Sequence, residues 1–275
     1  MIERLAIVGV GLLGGSVAKG ARAQALARRI VGIGRDLGRL RPALDDGTLD
    51  ETVTDLAAGL RGADRVVLAA PVLANETLLA ETWRLASPGA LITDVGSTKR
   101  GIVTLAERLA AGRRDVQFVG SHPMAGSEQS GYGVARVNLF QGATVVVTPG
   151  DAGDPVAVKG VAEFWAALGA RVVTLDPDTH DRAVAAISHL PHVVAWALVD
   201  AVARFEPDAL GIAARGFKDT TRIAASDPDV WREILLANRA AVGASVQAFR
   251  RALDELDRLV AAGDGAALTA LLARV

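Results

Sequence analysis

The stretch LAIVGVGLLGGSVAKGA, Leu5 to Ala21, decides the fold of the first half of the chain. It opens with a short apolar, β-prone run, and an apolar pattern of helical length follows its glycines at G-x-G-x-x-G spacing. The first glycine permits a tight turn, the second lets backbone approach a pyrophosphate, and the third lets helix and strand pack closely. A glycine-rich turn without a ligand is the alternative. We predict a dinucleotide-binding turn made by Gly9, Gly11, Leu12, Leu13 and Gly14.

Strand and helix patterns then alternate as far as Thr174, which favours an α/β fold with a mostly parallel, doubly wound sheet of Rossmann type. The runs Thr144–Thr148 and Arg171–Thr174 are expected to complete that sheet. From Asp176 onward the patterns are helical only. We therefore predict a dinucleotide-binding domain over residues 1–172 and an all-helical domain over 173–275, with a crossing helix from about Pro177.

The end of the second predicted strand bears on cofactor choice. An acidic residue there holds the ribose 2′-hydroxyl of NAD, whereas arginine suits the 2′-phosphate of NADP. Gly34 stands at the position where an NAD site has its acidic residue, and Arg35 follows it. A shift of one residue in the strand end would instead place Asp36 near the ribose. The pattern leans towards NADP, with NAD or both cofactors as alternatives.

Three later strand ends carry chemically suggestive residues, and ligands of parallel sheets bind at such ends. The first, AAP, predicts cofactor contacts from Ala70 and Pro71. The second, DVGSTK, offers Ser97 either as a helix cap or as a hydroxyl facing a ligand. The third runs into VGSHPMAGSEQSGYG, a glycine- and serine-rich segment predicted to be a loop. Its imidazole, His122, is a candidate general base, and a turn-capping histidine is the alternative.

The helical half contains two polar clusters. SHLPHVVAW places His189 and His192 on one helix face, but no third ligand is evident, and we expect no metal. Pro191 is expected to bend this helix. ARGFKDTTRIAASDPDVW contains three cations suited to carboxylate binding, with solvated surface as the alternative for each: Arg215, Lys218 and Arg222.

A last long helix is predicted from Asp229 to about Ala261, with apolar residues repeating by sevens. One row contains Phe249 and the other contains Leu253. A seam of this kind needs a partner helix along its length. We therefore expect a homodimer formed through the helical domains, with packing inside one chain as the alternative.

Composition excludes several classes of protein. The 275 residues carry a formal net charge of −1 with both signs interspersed, which leaves no basic face for nucleic acid. There are no cysteines, and hence no disulfides or thiolate chemistry. The apolar run Ala183–Val199 contains two histidines and a proline, so a buried helix is favoured over a membrane span. Without a recognisable secretion signal, we expect a cytoplasmic protein with no membrane partner.

Five motifs, in this order, resemble those of the prephenate/arogenate dehydrogenase family. They are GVGLLGGS, DVGSTK, GSHPMAGSEQSG, SHLPH and GFKDTTRIAASDPDVW, and they span nearly the whole chain. The resemblance implies a Rossmann-type domain followed by a helical dimerisation domain. It also implies oxidative decarboxylation of prephenate to 4-hydroxyphenylpyruvate, of arogenate to tyrosine, or of both, with hydride transfer to NAD(P)⁺ in tyrosine biosynthesis.

The resemblance also implies roles for individual residues. His122 corresponds to the catalytic histidine that takes the proton of the ring 4-hydroxyl, and Ser97 to a serine that contacts this hydroxyl and orients the histidine. Arg222 corresponds to the arginine that binds the ring carboxylate. Three further positions correspond to residues lining the substrate pocket: Ser127, His189 and Trp231. Arg215 stands where many relatives carry glycine, and we expect it to be an extra contact to a substrate carboxylate.

Two alternatives of other classes stay open at this point. A β-hydroxyacid or imine-reducing dehydrogenase also joins a nucleotide domain to a helical dimer domain, and its chemistry would rest on a lysine such as Lys218. A nucleotide-binding redox regulator would explain the glycine turn and the seam. It would leave His122, Ser97 and Arg222 together without a role.

Overall fold

The computed structural model describes residues 1–127, 129–151 and 153–274. Its Cα positions divide into two compact units. The first comprises Met1–Asp181 and Ala225–Ala237, and the second comprises Arg182–Ala224 and Asn238–Val275. The division falls inside the helix predicted from about Pro177, and the domain ranges 1–172 and 173–275 stay a prediction.

The first unit contains a six-stranded sheet in which all strands run parallel. The order across the sheet is β3-β2-β1-β4-β5-β6, so the sheet grows outward in both directions from β1. This order is that of a Rossmann-type nucleotide-binding sheet. The strands are β1 (Ile2–Val8), β2 (Ala27–Ile33), β3 (Glu51–Val53), β4 (Arg65–Leu68), β5 (Leu91–Asp94) and β6 (Gln117–Phe118).

Helices follow the strands of this unit. They are α1 (Leu12–Ala23), α2 (Leu37–Asp45), α3 (Leu56–Leu60), α4 (Val72–Leu85), α5 (Arg100–Gly112) and α6 (Pro155–Ala167). Alternate residues of β1 belong to different core clusters, Leu5 and Ile7 to one and Ala6 and Val8 to the other. The sheet is therefore buried on both faces, which confirms the predicted doubly wound α/β architecture.

The expectation that the later strands complete this sheet is wrong. Three strands form a second, separate sheet: β7 (Gly120–Pro123), β8 (Thr144–Thr148) and β9 (Arg171–Thr174). Strand β7 pairs antiparallel with β8, and β8 pairs parallel with β9. Only Val119 separates β6 from β7, which leaves no room for the helical crossover that a parallel neighbour would need.

The second unit is helical. Its elements are the end of α7 (Pro177–Val184), α8 (Leu190–Phe205), α9 (Arg215–Thr221), α11 (Arg239–Ala262) and α12 (Gly265–Ala273); α10 (Pro228–Ala237) belongs to the first unit. A π-helical turn, Ala185–His189, joins α7 to α8. The helix expected to bend at Pro191 instead contains this π-helical turn just before the proline, which has no N–H to donate to the preceding turn.

The single long helix predicted from Asp229 to about Ala261 is wrong, because the chain breaks at Asn238. Helix α10 ends at Ala237 and packs against α4, where Glu233 Oε2 accepts a hydrogen bond from the Leu73 N–H at 3.2 Å. Helix α11 then begins at Arg239. Helix α10 thus belongs to the nucleotide-binding unit, and the apolar residues that repeat by sevens lie on α11.

Apolar side chains of the helical unit lie exposed in the single chain. Both rows of the α11 seam contribute, with Phe249 36%, Leu253 52% and Val260 64% exposed. The stretch Pro177–Phe205 is long and apolar enough to cross a membrane by length and composition alone, and 22% of its most apolar window is buried. Length and composition of this kind are weak evidence for a span, since the core helix of a soluble protein passes the same test.

Candidate active site

The glycine-rich turn between β1 and α1 has the geometry that a dinucleotide requires. Gly9 adopts φ +94°, and a Cβ there would lie 2.6 Å from the Ala69 carbonyl oxygen. A Cβ on Gly14 would lie 2.0 Å from the Gly9 oxygen, so neither position accepts a side chain. Above Gly11, in contrast, an added Cβ would meet nothing within 4 Å. The turn is closed below and open above, as a bound pyrophosphate needs.

The N-terminus of α1 suits an anion. No side chain caps the helix at Gly11, and its first turn, with Leu12 and Leu13, contains no acidic residue. Backbone N–H groups at such an end, together with the helix dipole, favour negative charge. These residues fit the diphosphate of NAD(P).

The turn after β4 lies beside the glycine-rich turn, as the contact of Gly9 with Ala69 indicates. The Ala70 N–H donates to Asn75 Oδ1 at 3.1 Å, and this bond fixes the turn before Pro71 and α4. Ala70 is half-buried and Pro71 is exposed. Both follow the carboxyl end of β4, the strand beside β1 and its glycine-rich turn, and their contact with the cofactor stays a prediction.

At the end of β2, Gly34 follows Ile33 and Arg35 is exposed. The carboxylate of Asp36 accepts the Gly38 N–H at 2.7 Å and caps α2. The acidic side chain near this strand end is therefore engaged in its own helix cap.

His122 lies on β7 and not in a loop, which corrects the prediction from its glycine- and serine-rich surroundings. Its backbone pairs with Val146 of the apolar strand β8, and cross-strand pairing of this kind is invisible in local composition. The side chain is 9% exposed. His122 Nδ1 lies 2.9 Å from Nε2 of His180 on α7.

His180 extends this contact to a carboxylate. Its Nδ1 lies 2.8 Å from Oδ1 of Asp181, and His180 is fully buried. Asp181 Oδ1 also accepts the Lys99 N–H at 2.8 Å, and Oδ2 accepts the Arg100 N–H at 3.1 Å. Burial alone would raise the pKa of Asp181, but the hydrogen bonds from His180 and these two amides lower it below its ordinary value. Sequence reasoning missed both residues, for which the adjacent His and Asp at the start of the crossing helix were the only signal.

Asp181 caps helix α5, which is one of the two roles predicted for Ser97. Helix α5 begins at Arg100 with Lys99 as its N-cap residue, and no cap side chain binds its first turn. The carboxylate of Asp181 serves these amides from another element instead. Ser97 is half-buried in the turn between β5 and α5, which leaves a ligand-facing hydroxyl as its remaining predicted role.

A buried ion pair fixes the backbone of Ser121, the residue that precedes His122. The Lys99 ammonium pairs with Asp94 and donates to the Ser121 carbonyl oxygen at 2.9 Å. Asp94 accepts the Ser121 N–H at 3.0 Å, and the Trp165 indole donates to Ser121 Oγ at 2.9 Å. The residue preceding His122 is thus held at its amide, carbonyl and side chain.

Two further predicted residues belong to the first unit. Ser127 is exposed, and its Oγ accepts the Gln129 N–H at 2.9 Å. Trp231 is half-buried on α10, the helix that packs on α4. The sequence does not indicate that α10 belongs to the first unit, because the segments before and after it along the chain belong to the second.

In the second unit, His189 closes the π-helical turn and is 1% exposed. The Asn238 side-chain amide lies 3.3 Å from His189 Nδ1. The amide donates to this nitrogen, which places the imidazole proton on Nε2. Asn238 is the residue at which the predicted long helix breaks.

Arg222 lies in a short 3₁₀ turn after α9 and is exposed. The Trp196 indole holds this turn by donating to the Ala224 carbonyl oxygen at 2.8 Å. Burial, with a further contribution from the charge of Arg222, lowers the pKa of His192, whose Nδ1–H donates to the Ser188 carbonyl oxygen. Arg215 is also exposed, at the start of α9.

Comparison with known proteins matches both halves of the chain to the same family. The family model described as the nucleotide-binding domain of prephenate dehydrogenase matches residues 17–174, and the model of its dimerization domain matches residues 176–274. The prephenate dehydrogenase of Bacillus subtilis is 36% identical over 266 residues, which cover 94% of this chain and 70% of that protein.

Two solved structures agree with this assignment. Prephenate dehydrogenase from Aquifex aeolicus, in complex with hydroxyphenyl propionate and NAD⁺, has a TM-score of 0.93 at 34% identity and covers 100% of this chain and 96% of its own. Synechocystis arogenate dehydrogenase has a TM-score of 0.86 at 32% identity, with coverage of 98% and 96%. With a dinucleotide turn, a buried histidine on β7 and matches along nearly its whole length, this chain belongs to the prephenate dehydrogenase family.

Proposed function

We propose that this chain catalyses the oxidative decarboxylation of prephenate, of arogenate, or of both, in tyrosine biosynthesis. The observation that carries the proposal is a buried histidine, His122, in the same unit as a glycine turn fitted to NAD(P). The prephenate and arogenate dehydrogenases similar to this chain support the substrate class. The same residues argue against a redox regulator, which would need no base.

In this proposal His122 accepts the proton of the ring 4-hydroxyl as hydride leaves C4 of the substrate. When bound, NAD(P)⁺ supplies the hydride acceptor. The ring carboxylate then leaves as carbon dioxide, the ring becomes aromatic, and His122 returns the proton to the oxygen. Because aromatisation provides the driving force, the protein needs to supply chiefly orientation and a base.

The other residues orient the substrate. Ser97 contacts the 4-hydroxyl, and Arg222 binds the ring carboxylate through its planar guanidinium. Trp196 acts on Arg222 indirectly, because its indole fixes the turn that carries the arginine. We assign Ser127, His189 and Trp231 to the lining of the substrate pocket, and Arg215 to a second carboxylate contact.

For the cofactor, we propose that the chain uses NADP in preference to NAD. Gly34 in place of an acidic residue, an exposed Arg35 and an Asp36 engaged in its own cap support this choice. Arg35→Ala is expected to raise the Michaelis constant for NADP about 10- to 150-fold, the loss of one charge-assisted contact, and to leave that for NAD within about 2-fold. An equal rise in the Michaelis constants for NADP and NAD would show that Arg35 does not discriminate between the two cofactors.

We further propose a homodimer formed through the helical unit, in the cytoplasm. The dimerization-domain match and the exposed seam of α11 support the dimer. A second copy of the chain would cover the apolar residues Phe249, Leu253 and Val260.

The proposed reaction is tested by initial rates of cofactor reduction with prephenate or arogenate against NAD or NADP. Reduction in any of the four mixtures, with formation of the aromatic product, is the expected result. Absence of reduction in all four, for folded protein that binds cofactor, would refute the proposal.

A further inference from the structure

Three buried side chains form a continuous hydrogen-bonded series in the first unit. His122 Nδ1 lies 2.9 Å from His180 Nε2, and His180 Nδ1 lies 2.8 Å from Asp181 Oδ1. His122 is 9% exposed, His180 0% and Asp181 5%. The imidazole rings meet edge to face, with an interplanar angle of 71°, so that a nitrogen of one points at a nitrogen of the other.

The series begins at an ionised carboxylate. Asp181 accepts two amide N–H groups from the first turn of α5, where the helix dipole also favours negative charge. These bonds and His180 keep the pKa of Asp181 below its ordinary value in spite of its burial. The carboxylate is therefore a hydrogen-bond acceptor at neutral pH.

Because Asp181 can only accept a hydrogen bond, it determines which ring nitrogen of His180, and then of His122, carries the proton. As a neutral imidazole, His180 carries its proton on Nδ1 to donate to Asp181, so its Nε2 holds a lone pair. That lone pair accepts a hydrogen bond from His122, whose proton must then be on Nδ1. The Nε2 of His122 is left with the lone pair, which is the form that a general base needs.

We propose that His180 and Asp181 are positioning residues for His122: they fix its tautomer and stabilise the imidazolium that forms when it takes a proton. The inference rests on the proposed function of His122 as the base. The imidazolium of His122 donates to His180, and His180 in turn donates to the carboxylate of Asp181, so each proton stays on its own ring and the positive charge stays on His122. Neither His180 nor Asp181 needs to contact substrate or cofactor for this role.

The other charges near these three side chains are already paired, which leaves Asp181 to stabilise the imidazolium of His122. The Lys99 ammonium, at the N-cap of α5, pairs with Asp94 of β5, and the Arg100 guanidinium in the first turn of α5 pairs with Asp178 at 3.2 Å. Among the contacts described for this unit, Asp181 is thus the carboxylate bonded to His180, and it reaches His122 only through that ring. Removing it should destabilise the imidazolium of His122 and lower the pKa at which that ring is protonated.

The test uses Asp181→Asn with Asp178→Asn as its matched control. Both changes remove one carboxylate from the same helix, but Asp178 is 55% exposed and pairs only with the Arg100 guanidinium in the contacts described. For Asp181→Asn we expect kcat to fall about 10- to 100-fold and the acidic limb of the kcat/KM profile to move to lower pH. Asp178→Asn should keep the wild-type kcat and profile within about 2-fold.

A second pair of variants separates the hydrogen bond from packing. His180→Gln retains an oxygen that can accept from His122, whereas His180→Phe fills the site without any acceptor. The glutamine variant should keep more turnover than the phenylalanine variant, by about 10-fold. Equal losses in both, or an unmoved acidic limb in Asp181→Asn, would overturn the proposal.

The tautomers can be measured without turnover. The chain contains four histidines, so ¹⁵N-labelled imidazoles can be assigned by single substitutions. We expect His122 and His180 both to carry the proton on Nδ1 in the wild type, and His122 to lose this preference in Asp181→Asn. A proton on Nε2 of His122 in the wild type would refute the inference. An inactive wild type with the expected tautomers would instead refute the proposed reaction and leave the series intact.

Discussion

Replacing Lys99 by methionine tests how much the buried ion pair beside Ser121 and His122 contributes to the stability of the fold. Lys99 is 0% and Asp94 1% exposed at the side chain, so the pair is removed from water almost completely. Burial lowers the pKa of the Lys99 ammonium, and the charge of Asp94 opposes this effect. Methionine fills a similar volume and leaves Asp94 without its countercharge.

The expected cost is about 3 kcal/mol of unfolding free energy, the lower end of the 3–5 kcal/mol found when a buried pair loses one partner. The lower end applies because Asp94 keeps two amide donors, the Ser121 N–H at 3.0 Å and the Gly96 N–H at 2.8 Å. At about 2–4 °C per kcal/mol, the midpoint of thermal unfolding should fall by about 6–12 °C.

The assay is urea unfolding of four proteins: the wild type, Lys99→Met, Asp94→Asn and the double variant. Because the double variant buries no charge, its destabilisation should be at least about 1.5 kcal/mol smaller than the sum of the two single effects. Lys159→Met is the control, since Lys159 pairs with Glu163 on the surface, at 76% and 67% exposure, and should cost less than about 0.5 kcal/mol. Additive single effects, or a Lys99→Met protein within 1 kcal/mol of the wild type, would refute this reasoning.

Three further predictions concern substrate, pH and assembly. Arg222→Ala should raise the substrate KM about 10-fold or more in steady-state assays, and Trp196→Phe less, because the latter loses only the bond that holds the arginine's turn. The depressed pKa of Asp181 contributes stability above its unfolded value of 3.8, lost as pH falls through the folded value, so Asp181→Asn should flatten acid unfolding below about pH 4. Leu253→Asp, on the exposed seam, should shift the mass measured by light scattering from dimer to monomer. A dimer that survives this charge would place the interface elsewhere.

The glycine-rich turn and the parallel sheet around β1 were predictable because their signals are local. The glycine spacing, the strand before it and the helix after it all lie within the stretch that opens the chain. Gly9 and Gly14 have the close approaches that their positions imply, and the space above Gly11 is open. Backbone sterics of this kind can be read from neighbouring residues.

The surroundings of His122 were not predictable, because they depend on pairings between distant parts of the chain. His180 lies 58 residues after His122, and an antiparallel strand and a crossing helix bring them together. An adjacent His and Asp at a helix start resembles many helix N-termini. The break at Asn238 had a weak local signal, an asparagine inside a predicted helix, but its contact with His189 spans 49 residues.

The central claim is that His122 is the base of a prephenate or arogenate dehydrogenase reaction. The most direct test compares wild type and His122→Asn for initial rates with the better substrate, together with NAD(P)H affinity by fluorescence. We expect the variant to bind cofactor with unchanged affinity and to lose about 10²- to 10⁴-fold in kcat, the usual contribution of a general base. Wild-type turnover in the variant would contradict the account.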